Sequence, residues 1–327
     1  MDTPLFGYYP FIKKYPEDKI DYYDEDPSFE DLYYTPNYEL SADLNRDFDL
    51  TKNIIEKQIV TSDNTDTILA IPDIAQSMGQ YEEDPDKRYA WRLLSDMMRT
   101  WICSSAQSSN HNNRRFLPVV NISSQWIFSH KIAEDALKEL LSRNILFNYK
   151  AKEELKSILQ RNGVWQRGGY FKFSDLKNHE FENWYFQRQS VSPVTLFDST
   201  PLNGLTIALD TFSLKALPKG FVSVAKNGER KVRIDGIDVY AYDTFNFDES
   251  NGSRFIPDFI SNNLGYWSKN FKSFSPFPIS CLYSDYIRLG NSDFNNFRRN
   301  YKKGGDFQVI SDLRKLLFKK SEELTLK

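Results

Sequence analysis

Histidine, cysteine and long apolar runs are scarce in this chain of 327 residues, and each scarcity excludes a class of protein. Three histidines in all argue against a multi-histidine metal site or a histidine-based triad, which leaves His130 and His179 as single candidates. No apolar stretch approaches the roughly 18 residues that cross a bilayer, so no transmembrane segment is predicted. The P-loop, the dinucleotide fingerprint, HExxH, GxSxG and CxxC are also absent.

Only two cysteines occur, Cys103 and Cys281, and they lie far apart in the sequence. Neither has cysteine or histidine neighbours at metal-ligand spacing, which excludes a zinc ribbon. A chain of this length also buries a core without the disulfides that a knottin needs. We expect two buried free thiols, and a single disulfide between them is the alternative.

Charge is nearly balanced over the whole chain but not within its first 50 residues. A formal net charge of -3 provides no overall basic field, so no nucleic-acid partner is expected. The first 50 residues hold 13 acidic and 4 basic side chains, eight tyrosines and five prolines. Prolines interrupt helices, whereas disordered segments are poor in aromatics. We predict an irregular, acidic, Tyr-rich arm over residues 1–66 that packs on the body or docks on a partner; deletion of residues 1–50 should then spare the fold.

The next part, residues 67–165, has the periodicity of helices. Apolar side chains recur every three or four positions over 87–103, which predicts a helix with one buried stripe. Similar spacing predicts helices over 132–144 and 151–162, the second ending at Gly163. A shorter helix is predicted with Pro72 in its first turn and Gly79 as its end.

The last part, residues 166–327, alternates like a β-sheet. The Asn227-Gly228 pair predicts a hairpin, and the alternation slips at Gly236, as a β-bulge requires. A final helix is predicted over 311–320, where the leucines are spaced as on one helix face. The predicted fold class is α+β, with an N-terminal helical part packed on a C-terminal antiparallel β-sheet and the irregular arm in front.

Polar side chains cluster near the end of the strand predicted over 230–244. Three carboxylates there are candidate catalytic groups, because acids that converge at a sheet end can bind a cation or act as a general base: Asp238, Asp243 and Asp248. Tyr242, on the same predicted strand, is a candidate binding residue. Trp267, in the later LGYW stretch, is another. The alternative is an ordinary charged strand end and turn. Metal requirement and cofactor stay undetermined.

A basic stretch near the C-terminus is a second candidate. Arg298 and Arg299 precede a Lys-Lys-Gly-Gly turn and could contact a phosphate or an anionic lipid head. Four bases produce a modest field, so a solvated loop is the alternative.

Several motifs resemble an uncharacterised proteobacterial family whose members are often encoded beside type VI secretion spike and tip genes. The stretches IPDIAQSMG (71–79) and AWRLL to MRTW (90–101) are similar to its first signatures, and VYAYDTFNF (239–247) with LGYW (264–267) to its middle one. FRR (297–299), GGDF (304–307) and SD (311–312) resemble its closing pattern. Departures are an insertion over 81–88 and Tyr242 in place of an aspartate.

That resemblance implies an antibacterial effector, or toxin, of unknown activity, made in the bacterial cytoplasm and delivered into a target cell. The absence of a recognisable signal peptide at the start agrees with this expectation. Implied partners are a cognate immunity protein and a secretion spike, tip or chaperone protein.

Two mechanisms stay open within that context. In one, Tyr242-Asp243-Thr244-Phe245 resembles the motif of colicin M-type phosphodiesterases that act on a lipid-linked envelope precursor, although Tyr240 replaces its first aspartate and its His-Arg is missing. In the other, the protein is a non-catalytic binding or adaptor protein.

Overall fold

The computed structural model describes residues 19–25, 42–57, 65–78, 84–106, 117–175, 178–192, 204–209, 211–247, 263–268, 274–275 and 286–326. Helices dominate the first half of these residues and strands the second, which confirms the α+β fold class. No helix in the described ranges is both long enough and apolar enough to span a membrane.

Ten helices are described, in chain order: α1 Ala42–Lys57, α2 Thr65–Ser77, α3 Pro85–Cys103, α4 Ser124–Phe128, α5 Lys131–Leu140, α6 Arg143–Leu146, α7 Tyr149–Arg161, α8 Val164–Arg167, α9 Gly204–Ala208 and α10 Asn291–Tyr301. Helix α3 confirms the prediction over 87–103. Its N-cap residue Asp84 accepts hydrogen bonds from the backbone N–H groups of Asp86 and Lys87, and Pro85 occupies the first turn. Its apolar stripe, including Trp101, is buried.

Two helix predictions need correction. Helix α2 begins at Thr65, so Pro72 lies inside it and not in its first turn. Proline removes one backbone hydrogen bond there, and the complete burial of Ile71 and Ile74 offsets that loss. The predicted helix over 132–144 is divided into α5 and α6. The helix over 151–162 is confirmed as α7, with Asn148 capping its start and Gly163 beyond its end at φ +80°.

One sheet of eight strands forms the second half of the fold. Its strands are β1 Tyr22–Asp24, β2 Val119–Ile122, β3 Gly169–Lys172, β4 Gln187–Val191, β5 Phe212–Val224, β6 Arg230–Phe245, β10 Phe307–Ser311 and β11 Arg314–Leu324. Their order is β1-β11-β6-β10-β2, and β5 lies on the other side of β6 with β3 and β4 along its outer edge. A smaller sheet joins β7 Asn263–Ser268, β8 Phe274–Ser275 and β9 Tyr286–Gly290.

The long hairpin of β5 and β6 is the centre of the large sheet. Its turn confirms the Asn227-Gly228 prediction: Gly228 has φ +82°, and the Asn227 side chain accepts a hydrogen bond from the N–H of Glu229. The register slips between Gly236 and Ile234, which confirms the bulge. A side chain at position 236 would collide with the Leu316 carbonyl and lie 2.6 Å from the Lys219 Cε, so the site requires glycine.

Two strands correct the sequence-based prediction of the sheet. Residues 311–320 do not form the predicted helix; they form the end of β10 and most of β11. Strand β11 pairs with β6 on one side and with β1 on the other. Its buried residues, Arg314, Leu316 and Phe318, alternate with more exposed ones, which is the period of a strand. The sheet is also mixed and not purely antiparallel, since β10 and β2 run parallel.

The predicted arm contributes to the body wherever it is described. Strand β1 extends the sheet, and Ile20 beside it is 4% exposed. Helix α1 also lies within residues 1–66, and its Phe48 and Ile55 are buried in the core. These contacts count against the expectation that residues 1–50 are dispensable. The division into 1–66, 67–165 and 166–327 stays a prediction.

Candidate functional site on the central hairpin

The candidate site is a row of polar side chains on one face of the central hairpin. Because alternate residues of a strand share a face, Asp238, Tyr240 and Tyr242 of β6 project together. Antiparallel pairing places Lys215 opposite Tyr240 and Lys219 opposite Gly236, on that same face. We call these five residues the lysine face: Lys215, Lys219, Asp238, Tyr240 and Tyr242. The opposite face carries buried apolar side chains, among them Ile237, Val239 and Ala241.

At one end of the lysine face, a buried lysine lies between two carboxylates. The Lys219 Nζ donates to Asp238 Oδ1 at 2.9 Å and to Glu25, which follows β1. The Lys219 and Asp238 side chains are 3% and 1% exposed. A charge buried to that degree requires a partner, and Lys219 and Asp238 supply that partner to each other beside the bulge.

At the other end, a second lysine is enclosed by aromatic rings. The Lys215 Nζ lies 2.5 Å from the Glu182 carboxylate, 3.4 Å from the centroid of the Tyr242 ring and 4.6 Å from that of Tyr185. Rings at such distances stabilise an ammonium group through their negative faces. The Tyr240 hydroxyl donates to Glu182 at 3.1 Å. Burial, reinforced by that carboxylate, raises the pKa of Tyr240 well above its ordinary value of 10, so the hydroxyl stays protonated.

The predicted catalytic carboxylates do not converge. Asp238 is committed to Lys219, whereas Asp243 lies an odd number of residues further along the same regular strand and therefore projects from the opposite face. Five residues also separate them by about 16 Å along the strand. Asp243 Oδ1 accepts a hydrogen bond from the N–H of Thr244 at 2.7 Å. Asp248 lies outside the described residues.

The two arginines of the basic stretch have different surroundings. Arg298, at the end of α10, donates to the Gly304 carbonyl at 2.7 Å, pairs with the buried Asp306 and lies over the Trp101 ring. Trp101 also donates to Asp306, at 3.3 Å. Arg299 is exposed and donates to the Asn296 side chain. Arg298 therefore has a structural environment, and Arg299 faces solvent.

Comparison with known proteins adds a family. Residues 87–280, more than half of the chain, match DUF6402, a family of unknown function. The chain belongs to this DUF6402 family. No curated protein and no solved structure matches it.

The DUF6402 match covers all of the lysine face and ends before Arg298 and Arg299. Trp267 lies within it, on β7, but its side chain and the whole of Cys281 fall outside the described residues. Cys103 is a half-buried free thiol, and burial raises its pKa. Of the two single histidine candidates, His130 is described below, and the His179 side chain lies outside the described residues.

Sequence reasoning missed several polar residues that the DUF6402 fold brings together. Lys215 and Lys219 lie in a stretch whose other residues are mostly buried and apolar, and that contrast was the available signal.

A separate cluster surrounds Asp86, which accepts hydrogen bonds from Trp126 Nε1 and the Gly204 N–H, both at 2.9 Å. The His130 Nε2 atom lies 3.3 Å from the same carboxylate. Across the described residues, no group of three or more His, Cys, Asp or Glu side chains is arranged to hold a metal ion.

Proposed function

We propose that this DUF6402 protein is a type VI secretion-associated antibacterial effector that acts by binding a target, and not by catalysis through the carboxylates of β6. In this proposal it is made in the bacterial cytoplasm, loaded with a spike, tip or chaperone protein, and delivered into a rival cell. A cognate immunity protein protects the producing cell. The secretion context rests on the motif resemblance, and the mode of action on the geometry of the lysine face.

The observation that carries the mode of action is the placement of Asp238 and Asp243 on opposite faces of β6. A pair of acids that share one phosphoester or one cation must reach it from the same side. Asp238 is also 1% exposed and bound to Lys219. This arrangement counts against colicin M-type phosphodiester chemistry through these two groups and favours the binding alternative.

Expression in a susceptible bacterium tests the proposal. The chain would be directed separately to the cytoplasm and to the periplasm, and growth would be followed with and without the gene product encoded immediately downstream. We expect growth arrest in one compartment and rescue by the downstream product. Arrest in neither compartment would refute the effector role.

A variant series then separates binding from catalysis. Asp243→Ala and Asp248→Ala, alone and together, are compared with Asp175→Ala, which removes an exposed carboxylate from a surface ion pair. The binding mode predicts that all of these folded variants keep their toxicity. Selective loss of toxicity in Asp243→Ala or Asp248→Ala, with an unchanged melting temperature, would restore the phosphodiesterase alternative.

A further inference from the structure

We infer that the outer edge of β11 is a binding groove for an extended acidic peptide of a partner protein, and that the chain's own β1 occupies this groove in competition. We call the backbone of β11 from Arg314 to Lys319, with the side chains of Arg314 and Lys219, the acceptor edge. The inference depends only on the contacts of β1 and holds whether or not the protein is a secreted effector.

The first step is the backbone pairing. Strand β1 adds to β11 in antiparallel register, with Tyr23 opposite Leu317. The N–H of Lys319 donates to the Asp21 carbonyl and the N–H of Glu25 donates to the Lys315 carbonyl, both at 2.9 Å. Main-chain bonds of this kind accept any extended segment, so specificity must come from side chains.

The second step is the recognition of two consecutive acids. Neighbouring residues of a strand point to opposite faces, and the acceptor edge has one buried cation on each. Arg314 binds Asp24 through two parallel hydrogen bonds, of 2.9 and 3.0 Å, on the helix-covered face. Lys219 binds Glu25 on the lysine face. An acidic pair is therefore what this edge recognises.

The third step is that β1 can leave without isolating a buried charge. Arg314 keeps a second carboxylate, Glu134 of α5, and Lys219 keeps Asp238 of β6. Each cation thus has one partner from the body and one from the arm. Removal of a sole partner would leave an uncompensated buried charge, and the doubled partners avoid that penalty. Strand β1 is also only three residues long and lies at the sheet edge, where a competing strand can pair.

A locked variant of the full chain tests the inference. Tyr23→Cys combined with Leu317→Cys places two cysteines directly opposite each other. They form a hydrogen-bonded pair whose Cα atoms lie about 5.5 Å apart, within disulfide range. The probe is a fluorescein-labelled peptide of residues 19–25 with blocked termini, and fluorescence anisotropy reports binding. The two single-cysteine variants control for Cys103 and Cys281.

We expect the reduced double variant to bind the peptide and the oxidised form to bind it at least about tenfold more weakly, because the locked β1 no longer vacates the edge. Full chain with Asp24→Asn and Glu25→Gln should bind the unaltered peptide about tenfold more tightly than the unsubstituted chain does. A peptide carrying those two substitutions should bind about tenfold more weakly. Circular dichroism confirms that each chain is folded.

Three results would overturn the inference: equal binding by the oxidised and reduced forms, equal binding of the charged and neutral peptides, or no binding at millimolar peptide by folded chains with a weakened β1. Light scattering adds a further outcome. Dimers that form when β1 is weakened and disappear when it is locked would show that a second copy of this chain fills the edge, and the partner proposal would fail.

Discussion

Arg314 and Asp24 form a two-point ion pair, with hydrogen bonds of 2.9 and 3.0 Å, although 290 positions separate them in the sequence. Both side chains are 7% exposed, so solvent screens the pair little. Asp24→Asn removes the negative charge and is expected to lower the free energy of unfolding by about 2 kcal/mol, since Glu134 still compensates Arg314. Urea unfolding measures the change. Asp21→Asn, on the same segment but exposed, should stay within about 0.5 kcal/mol of the unsubstituted chain; equal effects would contradict the role of the pair.

Deletion of residues 1–50 should be far more damaging than the composition of the arm indicates. It removes Ile20 and Phe48 from the core, which costs more than the loss of Asp24 and Glu25, because Arg314 and Lys219 each keep a carboxylate of the body. We expect the truncated chain to be insoluble or to melt well below the full chain, as judged by soluble yield and thermal unfolding. A truncated protein with an unchanged melting temperature would show that the arm is dispensable.

Because Lys219 and Asp238 form a buried pair, the effects of substituting them on the free energy of unfolding should be strongly non-additive. Lys219→Met leaves Asp238, 1% exposed, without its cation, which should cost about 3–5 kcal/mol. Asp238→Leu should cost less, because Glu25 still neutralises Lys219. The double variant replaces the ion pair by two apolar side chains in contact and leaves no buried charge of the pair unpartnered, so it should lie closer to the unsubstituted chain than Lys219→Met does.

Urea unfolding of the four proteins completes that double-mutant cycle. Additive losses would mean that Asp238 does not depend on Lys219. If the pair is structural, folded Asp238→Leu should keep every activity that the double variant keeps.

The parts of the fold predictable from sequence are those fixed by near neighbours. The capped, periodic α3 and the Asn227-Gly228 hairpin carry their signals within a few residues. Strand β11 does not: Leu313, Leu316 and Leu317 suit a helix face, and pairing with β6 and β1 decides the outcome.

The same limit applies to the candidate site. Asp238 and Tyr242 could be singled out as polar residues on a strand, but their partners come from elsewhere in the chain. Glu25 lies 194 positions from Lys219, and Glu182 lies 33 from Lys215. Local composition does not encode such contacts. It also groups Asp243 with Asp238, although side chains five positions apart on a strand project from opposite faces.

The surroundings of Asp86 predict that the protein loses stability at acidic pH. Burial raises the pKa of its carboxyl, but hydrogen bonds from His130 and Trp126 outweigh burial and lower the pKa below its ordinary value of 3.8. A carboxyl group whose pKa is lowered by folding stabilises the folded protein at pH values above its ordinary, unfolded-state pKa. That stabilisation is lost as the pH falls through the pKa of the folded state. Asp86→Asn should therefore cost about 1 kcal/mol near neutral pH, a modest figure because the side chain is 41% exposed.

Thermal unfolding from pH 7 down to about pH 2 checks the sign, and the deficit of Asp86→Asn should shrink below about pH 4. Asp175 pairs with Lys172 and its carboxylate is 72% exposed, so Asp175→Asn is the matched control and should show little deficit at any pH. A deficit of Asp86→Asn that grows on acidification would refute the assignment.

Arg298 and Arg299 are adjacent in sequence but differ in their surroundings. Comparing a variant of each therefore distinguishes a structural role of this stretch from a role in anion binding. Arg298→Ala removes the cation that pairs with Asp306, which is 2% exposed, together with the bond to the Gly304 carbonyl and the contact with Trp101. We expect a loss of about 3 kcal/mol in the free energy of unfolding, because a buried carboxylate is left without its cation. Arg299→Ala removes an exposed side chain and should change stability by less than about 0.5 kcal/mol. Binding to vesicles with an anionic lipid is measured in parallel: a site for phosphate heads predicts that both variants bind more weakly, whereas a structural Arg298 predicts that neither folded variant changes vesicle binding.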